Sequence, residues 1–94
     1  MKSRKVVYRV HAIQRMFVRR ISTEDVAVVL DSGELIEEYP DDKPYPSRLL
    51  LGWCGSRPVH VVAAYNAEED EEIVITVYEP DAGLWNESFR RRKL

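Results

Sequence analysis

The sequence is poor in cysteine, has no long apolar run and lacks metal-binding spacings, and each lack removes a class of protein. Cys54 is the only cysteine, so no intramolecular disulfide can form, and with two histidines it makes a poor zinc set. No apolar run reaches the ~18 residues a membrane-spanning helix needs. Residues 1–17 carry charges but no continuous apolar core, unlike a secretory signal. A Gly-rich phosphate loop, paired cysteines and a His-x-x-x-His spacing are all missing. The expectation is a cytoplasmic protein in a reducing setting, with no membrane contact, metal or cofactor. Its 94 residues leave room for one domain, and 45% hydrophobic with 32% charged residues is the composition of a folded one.

Charge of each sign is unevenly spread. Lys2, Arg4, Lys5, Arg9, Arg15, Arg19 and Arg20 fall in the first twenty residues, with no acid among them. Arg90, Arg91, Arg92 and Lys93 close the chain, and all sixteen acids lie between Glu24 and Glu87. The net charge of −2 therefore averages basic ends and an acidic middle. Such asymmetry suits a nucleic-acid-binding face beside a solubilising one, or simply a charged solvated surface.

Hydrophobic periodicity orders the chain. Residues 5–10 alternate charged and β-favouring side chains and read as a short strand or an extended lead-in. From His11 the period is helical, with Ala12, Ile13, Met16, Phe17 and Arg20 on one stripe expected to be buried. His11, Arg15 and Arg19, at i+4 spacing, share one flank of that helix. Ser22 is a good N-cap for a second helix, with Asp25 at its third position, an apolar side of Val26, Val29 and Leu30, and Gly33 as its stop. After Gly33 the period drops to two. Strands are expected at 34–39, 48–54, 59–65 and 73–78, separated by a Pro-rich turn, the turn 55–58 and the acidic loop 66–72. The sum is an α+β fold: two N-terminal helices packed on one face of a three- to four-stranded antiparallel sheet. The domain covers residues 8–85, and 86–94 form a basic C-terminal tail, partly helical at best.

Short connections allow a register. Tyr65 is set opposite Ile73, His60 opposite Tyr78, and Gly52 opposite His60. One face then collects Leu49, Leu51, Trp53, Val59, Val61, Ala63, Tyr65, Ile73, Ile75 and Val77, the side to carry the helices. The other holds Arg48, His60, Thr76 and Tyr78 among small and apolar residues, a floor on which a ligand can lie. A histidine there is either a working group or a half-buried one bonded to a neighbour.

These residue types suit cleavage of RNA by its own 2′-hydroxyl. That reaction needs a base for the 2′-OH, cations for the phosphorane and an acid for the 5′-oxygen. Histidine titrates near neutrality, tyrosine donates a proton or stacks, and arginine grips phosphate bidentately. The candidate catalytic groups are His60, His11 and Tyr78. The candidate substrate-binding groups are Arg15, Arg19, Arg48 and Thr76. Cys54 has no adjacent base and is not a nucleophile candidate.

One set of strings is more specific. His11-Ala12-x-x-Arg15-Met16-x-x-Arg19-x-Ile21-Ser22 is followed by Asp25-Val26-x-x-Val29-Leu30-x-x-Gly33. Ile36-x-x-Tyr39-Pro40, Leu49-Leu50-Leu51-Gly52, Pro58-Val59-His60-Val61-Val62 and Thr76-Val77-Tyr78-x-Pro80, then Trp85, complete the pattern. It resembles a small prokaryotic family catalogued as domain of unknown function 4258, which looks like a relative of the RelE/ParE toxin superfamily. The resemblance covers about residues 8–85 and marks His11, Arg15, Arg19, His60, Tyr78 and Pro80 as motif residues. It implies a RelE-like α+β fold and a toxin-like, metal-independent endoribonuclease of a toxin–antitoxin pair. RNA or the ribosome and a cognate antitoxin are the partners it implies. A non-catalytic RNA- or protein-binding module on the same fold, and a ParE-like gyrase inhibitor, are the alternatives.

Overall fold

A computed structural model describes residues 5–92; Lys2, Arg4 and Lys93 lie outside the described residues. The elements run β1 (Lys5–Tyr8), α1 (Val10–Arg19), α2 (Thr23–Ser32), β2 (Glu34–Tyr39), β3 (Ser47–Cys54), β4 (Arg57–Asn66) and β5 (Glu71–Tyr78). The fold is α+β, with two helices and a five-stranded mixed sheet in the order β1-β5-β4-β3-β2. Among the described residues no helix is long and apolar enough to cross a membrane.

The ends of α2 follow from local chemistry. Ser22 Oγ accepts from Asp25 N–H at 3.0 Å, and Ser22 N–H donates back to the Asp25 carboxylate at 3.1 Å. This capping box satisfies two backbone donors that the first turn would otherwise leave open. The same backbone bond holds the Asp25 carboxyl below its ordinary range. The helix ends at Gly33, where the backbone turns extended with φ −68° and ψ 159°, and glycine is required there by lack of space and not by a left-handed φ. A Cβ there would run into the Val29 carbonyl and lie 3.1 Å from Leu51 O. Helix α1 has no side-chain cap at its start and closes at Arg20, whose φ of 56° is left-handed.

The sheet departs from the antiparallel expectation at its first strand. Residues 5–8 are not a lead-in: they pair in parallel with β5, from Lys5 opposite Glu71 to Tyr8 opposite Val74. A parallel pair needs a long crossover, and here everything from α1 to β4 lies between the partners. The other three pairings are antiparallel.

Two register errors in the sequence reading have local causes. Cys54 pairs with Arg57 across a turn made by Gly55 and Ser56, with Gly55 at φ +67°. The tighter turn sets Leu51 opposite His60 and Gly52 opposite Val59, one residue from the expected register. Leu49, Leu51 and Trp53 therefore share the face of His60, while Arg48, Leu50, Gly52 and Cys54 share that of Val59 and Val61. On β5 the expected pairs His60–Tyr78 and Val61–Val77 form, but a bulge at Ile75 sets Val74 opposite Ala63 and Glu72 opposite Tyr65.

The main core joins Ala12 and Met16 of α1, Ile21, and Val26 and Val29 of α2 to Leu50, Val59, Val61, Ala63, Val74 and Val77. Gly52 is required at this contact, because a Cβ would collide with the Val29 side chain. Ile13 and Phe17, expected in the buried stripe, face outward. Helix α1 meets the core along the single Ala12–Met16 line, and the residue after each points about 100° further round.

Candidate functional site

On the face of the sheet away from Val59 and Val61, His60 stands opposite Tyr78 and is wholly buried. Its Nε2 lies 2.9 Å from the carbonyl oxygen of Phe89, and its Nδ1 lies 3.2 Å from the Tyr78 hydroxyl. A carbonyl only accepts, so Nε2 carries the proton. In the neutral ring Nδ1 is then the acceptor and Tyr78 donates its O–H. Burial pushes the His60 pKa down, with the Phe89 bond opposing, so the neutral ring is the expected form at pH 7. The Trp85 ring meets His60 edge-on, 4.5 Å between centroids and at 90°.

Trp85 and Phe89 arrive on a strap folded over this face. Beyond β5 and Pro80, the Asp81 carbonyl accepts from Leu84 N–H and Trp85 N–H, and its carboxylate accepts from Gly83 N–H at 2.7 Å. Asn86 then closes a small loop. Its side-chain oxygen accepts from Arg90 N–H at 3.1 Å, and its N–H donates to Arg91 O at 2.8 Å. Phe89, at the loop's turn, takes φ 60° and packs edge-on against Trp53. Outside the strap, Arg90 Nε pairs with Glu34 at 2.8 Å and Arg92 lies over the Trp85 ring at 5.4 Å. The expected basic tail is thus, over its described residues, an ordered non-helical cover.

Tyr78 sits half-buried at the rim of this cover. Burial raises its phenol pKa, the positive charge of Arg92 lowers it, and Glu37 raises it. Ile36, Glu37, Trp85, Arg90, Arg91 and Arg92 line a depression alongside. A phenol bonded to a neutral imidazole, with the charge of Arg92 acting on it, can pass a proton to that ring.

The structure brings together only part of the expected site. His60 and Tyr78 are bonded, and Thr76, two residues before Tyr78, shares their face opposite Val62. Arg48 lies on the other face, where its guanidinium donates to both oxygens of buried Glu72 at 3.1 and 3.0 Å. His11, Arg15 and Arg19 are exposed on α1, which packs through Ala12 and Met16 beside Val59 and Val61, across the sheet from His60. The Cys54 thiol is pushed up by burial and by the neighbouring Asp25, which makes it a poor nucleophile. Sequence reasoning missed Phe89, Glu37 and Arg92. Its available signal was two aromatics at i and i+4, Trp85 and Phe89, set in an otherwise polar tail.

A histidine–tyrosine pair sealed by the chain's own C-terminal strap, on a two-helix, five-stranded sheet, defines a small α+β domain with an internal polar site. A family model matches residues 8–79, and the chain belongs to that family, described as Domain of unknown function (DUF4258). Searches of curated proteins and of solved structures find no match. The matched region contains His60 and Tyr78, while Trp85 and Phe89 lie beyond it.

Proposed function

We propose that this protein is a toxin-like, metal-independent endoribonuclease of RelE-like type that cleaves RNA through attack of the 2′-hydroxyl, with Tyr78 as the group that meets the substrate. The supporting observation is the hydrogen bond from Tyr78 to a His60 whose tautomer is fixed by Phe89. In the reaction, the 2′-OH gives its proton to the Tyr78 oxygen as Tyr78 passes its own to His60 Nδ1. The 2′-oxygen bonds to phosphorus and the bond to the 5′-oxygen breaks. The imidazolium, steadied by the Phe89 carbonyl, returns a proton through Tyr78 to the leaving oxygen. Arg92 and its neighbours offset the phosphorane charge. Thr76 is the candidate for substrate contact on the same face. Arg48, paired with Glu72, is left out of this reading. RNA, free or on the ribosome, is the substrate, and a cognate antitoxin the regulating partner.

The test is incubation of pure protein with RNA in chelator. Products ending in a 2′,3′-cyclic phosphate are expected, and a 2′-deoxy substitution at the cleaved site should block them. Tyr78→Phe should slow the reaction by about a hundredfold or more, the usual scale for a positioned proton-transfer group. Intact RNA, together with unchanged growth arrest by Tyr78→Phe, would end this reading.

The complete burial of His60, and the separation of the basic flank of α1 from it, favour a second reading: a non-catalytic binding module on the same fold. It predicts complexes without turnover.

A further inference from the structure

The side of α1 turned away from the core has an apolar surface with no cover among the described residues. Val10, Ile13, Phe17 and Val18 are 71%, 52%, 86% and 73% exposed. At about 100° per residue these four and Gln14 fall on one face, opposite Ala12 and Met16. Arg15 borders it, Arg19 lies one turn on and about 40° further round toward Ala12, Arg9 and Arg20 stand at the two ends, and the helix itself holds no acid. Among the described residues no carboxylate pairs with any of these four arginines. Phe17, Val18 and Arg20 also line a shallow depression with Met16, Ile21 and Ser22 where α1 ends.

We propose that this face of α1 is the docking surface for an acidic amphipathic helix of a partner protein. Four exposed apolar side chains along about 12 Å of helix match the anchor spacing of a partner helix laid alongside. The unpaired arginines on its margins select carboxylates on that partner. A phosphodiester chain satisfies the arginines but supplies no aliphatic surface for Val10, Ile13 and Val18. The surface lies across the sheet from Tyr78, so the inference stands or falls apart from the proposed cleavage.

The test uses the whole chain and a labelled synthetic helical peptide with leucine at i, i+3, i+4 and i+7 and glutamate elsewhere. A scrambled peptide of the same composition, poly(U) RNA, and vesicles of phosphatidylglycerol with phosphatidylcholine are the comparisons. Saturable, salt-sensitive binding of the amphipathic peptide is expected, with amide shift changes centred on α1. Phe17→Ser and the pair Arg15→Glu with Arg19→Glu should each weaken it about tenfold or more, a loss of ~1.4 kcal/mol. Both alter exposed side chains, so circular dichroism should match the parent, and Tyr78→Phe should bind normally. Equal binding of the scrambled peptide, or binding of RNA or vesicles through Phe17 with none of the peptide, overturns the proposal.

Discussion

The carbonyl of Phe89 lies 2.9 Å from Nε2 of His60, and that one contact decides which ring nitrogen holds the proton. Everything proposed for Tyr78 follows from it. With Nε2 protonated, Nδ1 must accept, and the phenol is the donor in reach. Nitrogen-15 chemical shifts should therefore report a neutral Nε2–H tautomer for His60 at pH 7, distinct from the exposed ring of His11. An imidazolium signal at that pH would remove the donor role of Tyr78.

The burial of His60 also has a thermodynamic sign. Its folded pKa is lowered, so the unfolded state binds the proton more readily. The stability this group contributes is present above its unfolded pKa of about 6.5 and is lost as pH falls from there toward the folded value. Melting temperatures should fall as the pH drops below the unfolded value of about 6.5, and His60→Gln, though less stable overall, should flatten that slope. A parent protein whose melting temperature rises on acidification would contradict the geometry.

Helix α2 should depend on Ser22. Replacing it with Ala removes the bond that its Oγ accepts from Asp25 N–H, while the backbone N–H of residue 22 can still donate to the Asp25 carboxylate, and should cost about 1 kcal/mol, within a range of ~0.5–2. Urea denaturation would read this as a lower midpoint with an unchanged slope. Thr at the same position should recover most of the loss.

Gly52→Ala should destabilise by ~1–3 kcal/mol, because the added methyl meets Val29. Gly55, which has nothing within 4 Å but a φ of +67°, should resist substitution for a different reason, backbone strain. Adding Val29→Ala to Gly52→Ala should give less than the sum of the two single losses, whereas adding it to Gly55→Ala should be additive.

Arg48 and Glu72 form a structural pair, and their variants should behave so. Removing the guanidinium that Glu72 accepts from, as in Arg48→Met, should lower the stability of the fold. Joint replacement by Met and Gln should cost less than Arg48→Met alone. A change in RNA cleavage by Arg48→Met without a fall in stability would return Arg48 to the site.

The helices were more legible than the sheet's faces. Ser22, Asp25 and Gly33 act within a few residues of one another, so their chemistry is complete in the local sequence. Strand β3 is different: Leu49, Leu50 and Leu51 are all buried, so alternation cannot tell one face from the other. The turn decides, and a positive φ at Gly55 shortened it by more than the sequence reading allowed. His60 and Tyr78 were correctly set opposite each other because that stretch of β4 and β5 lies on the far side of the Ile75 bulge from the acidic loop. The cover was hidden because Phe89 reaches His60 through its backbone, and a backbone carbonyl leaves no mark in residue type.

The parallel pairing of β1 with β5 has a consequence in time. The first strand has no partner until the last has been made, so a chain emerging from the ribosome holds β1 idle while β2, β3 and β4 assemble as a meander. Closing so long a loop is slow relative to a hairpin. Before it closes, β5 has no strand on its outer edge, and a chaperone or a partner binding that nascent edge would act before the domain exists as a unit.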